Sequence, residues 1–462
     1  MDKKKIRDII EPLKGRLIKG RDEVEITDVV IDSREAKEGS LFFALIGPNH
    51  NAHKFLQSAY DNGCRAAVIS EEEKGKNLPD DFTLILVEDT LNSLQELSKW
   101  YLEKLGLRKI AVTGSVGKTT TRDMIYSCLS RKYTTGTCKH NFNNQFGLPV
   151  AILELSETMQ VAVLELALED KNHIERLAEI TRPDIAVITN IGISHIEKLG
   201  SRENIFHEKM EVAHFFTGEN VLVINDDDDM LSTLQDEEKE YKIVRAGTSE
   251  EADFSASEIE DLGANGVRFN LNCSQGCFPI RLLVPGAHNA VNAAMAAAAC
   301  SVMGVAIEDI IAGLAQVEMT DNRLKLSTVG DVCIIDDTYN AAPESMKSAI
   351  RTLMKSDGKR KVAILGNMNE LGDMSEKSHL EVGEYAAEAG VDLLITIGDR
   401  GRLIQKGAEE KGGVGKLMHF DNKEELIDSI KDLIVVGDVV ILKASRTVEL
   451  EKVAEAMKEV LS

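Results

Sequence analysis

The residues Thr113-Gly114-Ser115-Val116-Gly117-Lys118-Thr119-Thr120 could hold a polyanion. Two glycines three apart let backbone N–H groups converge, Lys118 adds a mobile charge for terminal phosphates, and Thr119 offers a hydroxyl to Mg2+. An apolar run, Ile110-Ala111-Val112, enters this loop, and Met124, Ile125, Cys128 and Leu129 follow it at helical spacing. A strand, a loop and a helix whose N-terminus faces the anion are the expected arrangement. The common phosphate-loop pattern has a glycine where Val112 stands, so this is a shortened form, with a plain glycine turn as the competing reading.

Other residues extend the chemistry. Glu165 and Asn190 end apolar runs and His195 lies just beyond one, so a hard oxygen and an imidazole could face Thr119 near a nucleotide's Mg2+, though singly a strand-end Glu reads more readily as a rim residue and a lone His as structural. Lys209, within His207-Glu208-Lys209-Met210-Glu211, reads locally as a helix-surface cation among acids. Asn289 and Asn292 are three apart and share a helix face, suited either to adenine or to capping. Arg323 could swing onto a transferring phosphoryl group, with plain surface placement an equal reading of the local sequence. The dense polar loop Asp336-Asp337-Thr338-Tyr339-Asn340 could capture a zwitterion, its carboxylates taking the ammonium. Asp32-Ser33-Arg34 suits a phosphate or a uracil carbonyl, or is a solvated turn.

The elements that must position these groups alternate between apolar strand-like runs and helical spacing, which predicts an α/β protein of three domains. Residues 1–107 carry five short strand-like runs with helices over 52–62 and 90–105. Residues 108–318 carry the phosphate loop within a mostly parallel, doubly wound sheet, with ligands at the carboxyl ends of its strands. Short alternating strands over 253–285 read as a small antiparallel insertion, and alanine-rich 287–304 as a buried helix. Residues 319–462 alternate again in a Rossmann-like pattern, yet without G-x-G-x-x-G, so nothing supports NAD binding.

With 462 residues the chain exceeds one core. Its formal charge of −23 disfavours nucleic acid and anionic membranes, so any anionic ligand must be held by few local cations. No apolar run approaches the roughly 20 residues of a membrane span, and the charged N-terminus is no secretion signal, so a cytosolic protein is expected. Seven scattered cysteines read as reduced thiols, with Cys273 and Cys277 as ordinary strand residues.

Together these pieces resemble the Mur ligases, the ATP-dependent amide-forming enzymes of peptidoglycan synthesis, over essentially the whole chain. The matching stretches include Asp32-Ser33-Arg34, the phosphate loop, Asn143-Asn144-Gln145-Phe146-Gly147-Leu148-Pro149, Asn190-Ile191-Gly192 with His195, and Lys209-Met210-Glu211. Gly286-Ala287-His288-Asn289 with Asn292, the block from Leu365 to Gly372 with His379, and Asp337 to Pro343 match as well. The last is the most discriminating, because the family member that adds a diamino acid or lysine differs there.

The resemblance implies an N-terminal domain for the UDP-linked substrate, a central ATP domain and a C-terminal domain for the incoming dipeptide. It implies UDP-N-acetylmuramoyl-tripeptide and D-alanyl-D-alanine as substrates and ATP and Mg2+ as cofactors; a monomer is the expectation, which no motif carries. Lys118, Gly114, Ser115, Val116, Gly117 and Thr120 would hold the ATP phosphates, and Thr119 with Glu165 one Mg2+. His195 would serve a second metal near Lys209, carbamylated in this family. Asn289 and Asn292 would meet adenine, Arg323 the γ-phosphate, Ser33 and Arg34 the uridine end, and Asp337, Tyr339 and Asn340 the dipeptide. Asn143 and Asn144 would also contact substrate.

Three places depart from the family pattern: Leu166 to His173 replaces a glycine-rich stretch, Asn322 replaces a glycine, and Ala444 stands in a Lys-Gly-Ser-Arg motif. Folylpolyglutamate synthase shares the implied architecture, but the 337–343 loop and the uridine-type first unit disfavour it. A nucleotide-switched binding protein is the rival from another class, and turnover would decide against it.

Overall fold

The computed structural model describes residues 1–47, 50–75, 77–138, 142–236, 239–320 and 323–461. Among them are three main sheets of five, nine and six strands, in that order along the chain. The departure at Asn322 lies outside the described residues.

In the first sheet, Thr83–Leu86, Ala66–Ile69, Ser40–Phe43 and Asp28–Val30 run parallel, and Arg16–Lys19 pairs antiparallel at the edge. Ser40–Phe43 and Ala66–Ile69 are buried throughout, as apolar runs covered on both faces must be. The helix Thr90–Leu105 starts where the Asp89 carboxylate accepts the Asn92 N–H and stops at left-handed Gly106. Its Leu94, Leu97 and Tyr101 pack into the first core, and the Tyr101 hydroxyl donates to the Leu155 carbonyl of the central part.

The strand Arg108–Thr113 lies inside the central sheet, between Ile185–Ile188 and Val161–Glu165, parallel to both. Parallel pairing continues through Val221–Asn225 and Lys242–Gly247 on one side and Thr135–Thr137 on the other. The expected antiparallel insertion proves to be the same sheet carried on: Phe254–Asp261 pairs parallel with Lys242–Gly247, then antiparallel with Val267–Cys273, which pairs with Gly276–Leu282. Cys273 and Cys277 are strand residues there, as expected. The helix Asn289–Val302 is buried from Ala293 through Cys300, alanine's small side chain letting it lie close to its neighbours.

The third sheet runs in the order Lys325–Val329, Val332–Asp336, Asp438–Lys443, Arg360–Leu365, Leu393–Ile397, Lys416–Phe420, with its first pair antiparallel and the rest parallel. Cores fill both of its faces. Pro343–Lys355, a helix with proline in its first turn, joins it to the central sheet. At its far end the Ser356 hydroxyl accepts the Ala264 N–H at 2.8 Å, and Gly263 lies so close to Ser356 that any side chain there would collide. No described helix is long and apolar enough to cross a membrane.

Candidate active site

The phosphate loop leaves the carboxyl end of Arg108–Thr113 and enters the helix Lys118–Leu129. Gly114 and Gly117 adopt φ of 144° and 83°, where a side chain is strained. A Cβ at Gly114 would also strike the Thr189 hydroxyl, and one at Gly117 would press on the Asn292 amide at 3.2 Å. Asn190 braces the loop: its carbonyl accepts the Ser115 N–H and its side chain exchanges hydrogen bonds with the Val116 backbone, all at 3.0 Å. Lys118 Nζ donates to the carbonyls of Gly114 and Ser115 at 2.9 and 3.2 Å.

Glu165 is fully buried beside the helix start. Its Oε2 accepts the Thr119 hydroxyl at 2.7 Å and meets Arg122 Nη1 at 3.4 Å, while Oε1 accepts the Asn143 amide at 2.9 Å. Burial pushes this carboxyl up, but Arg323, Lys118, Arg122 and the Thr119 bond together hold it below the ordinary glutamate range. A hydroxyl and a carboxylate side by side are the hard-oxygen donors that Mg2+ takes, so the residues fit that ion. Asn143 thus touches Glu165. Asn144 bonds Glu169 and accepts the N–H groups of Phe146 and Gly147, opening the helix Gly147–Leu153.

Lys209 corrects the local reading of the sequence. It is no surface cation: it is 1% exposed, and burial first, then the Lys118 charge, push its amine well below the ordinary lysine range. The neighbouring acids of its own helix turn face elsewhere, as Glu208 accepting the Asn172 N–H illustrates. His195, in left-handed backbone, places Nδ1 2.7 Å from Glu370 Oε2 of the third sheet's loop. The His195 bond is the largest influence holding the Glu370 carboxyl low, and Lys118 contributes too, so the pair reaches the phosphate loop's field.

A cavity of about 450 Å³ runs between the central and third sheets. The phosphate loop, Asn292 and His288 line one wall; Arg323, Asp337, Tyr339 and Asn340 line the other. Asn289 is turned inward, donating to the Pro285 carbonyl and accepting the Asn292 amide, so it backs the residue that faces the space. Arg323 stacks on the Tyr339 ring at 4.4 Å. Lys443, 3% exposed, donates to Asp337 Oδ2 at 2.5 Å and to the Asn340 carbonyl at 2.9 Å. Ser33 and Arg34 lie apart, at the carboxyl edge of the first sheet, where Arg34 clasps Asp32 through two nitrogens.

Sequence reasoning gave no role to Arg122, Glu370 or Lys443. Arg122 follows Thr119 by three and so shares its helix face, a signal that was available. Glu370 and Lys443 matter through contacts between distant stretches, which spacing does not encode. Ala444 has a visible accommodation: a Cβ on Gly366 would come within 2.7 Å of its own Cβ, so glycine at 366 makes room.

A phosphate loop with a hard-oxygen pair, facing a second unit across a cavity, defines a nucleotide-dependent α/β protein of the phosphate-loop class. Residues 112–300 match the Mur ligase middle domain and residues 322–446 the Mur ligase glutamate ligase domain. UDP-N-acetylmuramoyl-tripeptide–D-alanyl-D-alanine ligase of Bacillus subtilis is 36% identical, covering 99% of both chains. The crystal structure of MurF from Acinetobacter baumannii superposes with a TM-score of 0.88 at 32% identity, covering 99% of each chain. MurF ligase from Thermotoga maritima, solved in complex with ADP, gives 0.80 at 28% identity, covering 94% of this chain and 97% of its own. The chain belongs to the Mur ligase family.

Proposed function

We propose that this chain joins D-alanyl-D-alanine to UDP-N-acetylmuramoyl-tripeptide at the expense of ATP, as the names of its relatives say of them. The ATP γ-phosphoryl passes to the terminal carboxylate of the tripeptide. The dipeptide amine attacks the resulting acyl phosphate, the C–O bond to phosphate breaks, and the amide forms with release of ADP and phosphate. One observation carries this reading: a single cavity lined by both the phosphate loop and the 337–340 loop, so that phosphoryl donor and acceptor amine can meet.

Lys118 and the N–H groups of residues 114–120 bind the phosphates, and Arg323 meets the γ-phosphoryl group. Thr119 and Glu165 hold Mg2+, which supplies charge neutralisation on the phosphate oxygens. Asn292 meets adenine while Asn289 orients it. Asp337, Tyr339 and Asn340 receive the dipeptide, with Lys443 fixing Asp337. Ser33 and Arg34 take the uridine end; Asn143, from beside Glu165, and Asn144, from beside Glu169, also contact the substrate. His195 and Lys209 serve a second metal. Carbamylation needs a neutral amine, and the burial of Lys209 favours that form; CO2 adds to the nitrogen with loss of a proton, leaving an anionic ligand. Residues 1–107, 108–318 and 319–462 act as separate domains of a cytoplasmic monomer without membrane insertion.

Phosphate release should require ATP, the tripeptide nucleotide and the dipeptide together, with the pentapeptide product seen by mass spectrometry. Replacing Lys118 by Ala should lower turnover at least about a hundredfold, the scale of losing one such charge contact. Phosphate release indifferent to the dipeptide would overturn the reading.

A further inference from the structure

Among the described residues, Glu370 and His195 form a contact that joins two parts of the chain through unusual backbone. Both are non-glycine residues at positive φ, 62° and 66°, and they face each other from the third and central sheets. Such conformations persist only where the surroundings enforce them, and they concentrate at working sites. The surroundings here are firm. Met368 N–H donates to His379 Nε2 and Asn369 N–H to the Ser445 hydroxyl, each at 2.9 Å, while Met368 and Leu371 are buried on either side of Glu370. Gly372, next along, lies against Glu197, where a Cβ would come 3.2 Å from the Glu197 Cα. The loop is therefore seated on the segment that carries His195.

We infer that Glu370 is a positioning residue: by accepting the His195 Nδ1–H it fixes the ring and its tautomer, leaving Nε2 as the electron-pair donor for a divalent cation beside the nucleotide. The inference rests on the proposed nucleotide and metal reading. An imidazole that binds metal through one nitrogen is commonly oriented by a carboxylate on the other, and losing that partner weakens the metal. Here the partner comes from a different unit. His195 is therefore oriented only while the third unit is seated on the central one, so metal affinity at this position depends on that seating.

The test uses the full chain, Mn2+ as probe and a non-hydrolysable ATP analogue. Mn2+ binding is followed by electron paramagnetic resonance, and the His195 tautomer by 15N chemical shifts. Of two Mn2+ ions, Glu370→Ala should weaken the one that His195 takes about 10- to 100-fold, the usual effect of losing an orienting carboxylate, and leave the one at Thr119 and Glu165 in place. The same variant should lose the fixed Nδ1–H tautomer, while metal-free nucleotide affinity changes by less than about twofold. Glu370→Gln, whose amide oxygen still accepts, should recover much of the binding. Unchanged Mn2+ affinity and tautomer in Glu370→Ala overturn the inference, as does a loss that follows melting temperature in both variants with the tautomer intact. Wild-type protein that binds the analogue but no Mn2+ overturns the metal reading itself.

Discussion

Arg122 is completely buried, and its guanidinium ties three parts together. It grips Asp123 through Nε and Nη2 at 3.0 and 2.7 Å, approaches Glu165 through Nη1, and donates to the Thr320 hydroxyl. Asp123 Oδ2 accepts the Thr320 N–H and hydroxyl in return, at 2.9 and 2.8 Å. Removing one partner of such a group leaves buried charge uncompensated, so Arg122→Met should cost about 3–5 kcal/mol in chemical denaturation, with Arg122→Lys losing less. The phosphate loop was legible because its chemistry is local: glycines, lysine and threonine adjacent in the chain. Lys209 was not, because its burial comes from segments far away, and its own neighbours are the acids of an ordinary exposed helix.

Helices and loops carry their own constraints. Gly383 and Gly407 lie where the helices Ser375–Ala389 and Gly401–Lys411 touch, and a side chain at either would collide with the carbonyl of Ile404 or of Leu380. Gly383→Ala should therefore destabilise by about 2–3 kcal/mol, read from the denaturation midpoint, although alanine favours helix elsewhere. His379 is fully buried, with Nδ1 donating to the Ser375 carbonyl and Nε2 accepting from Met368. Burial above all lowers its pKa below the ordinary 6.5. Below pH 6.5 the unfolded chain binds that proton first, so stability should fall as pH drops through the range beneath 6.5. His379→Gln should flatten that slope in denaturation measured across pH. The buried strands were readable as apolar runs, whereas Arg16–Lys19, Lys325–Val329 and Lys416–Phe420 escaped. They are edge strands with half-exposed, charged sequences, and one covered face leaves little pattern.

Taken whole, the molecule carries a charge of −23 while its proposed substrates are anions. Raising ionic strength from about 10 to 150 mM shortens the screening length from about 30 to 8 Å, so kcat/KM for the nucleotide substrate should rise about two- to threefold at fixed free Mg2+. A fall would show that local cations, not the net field, govern capture. The helix Pro343–Lys355 begins at the cavity and ends where Ser356 is pinned against Gly263 and Ala264, in the turn between the central sheet's strands Phe254–Asp261 and Val267–Cys273. That makes it a lever with its fulcrum at the far end. At 1.5 Å per residue the arm is about 20 Å long, so a tilt of roughly 10° at the pivot sweeps Tyr339 and Asn340 through roughly 3 Å. A small rocking on three backbone residues is thus enough to bring an amine into bonding range or to withdraw it.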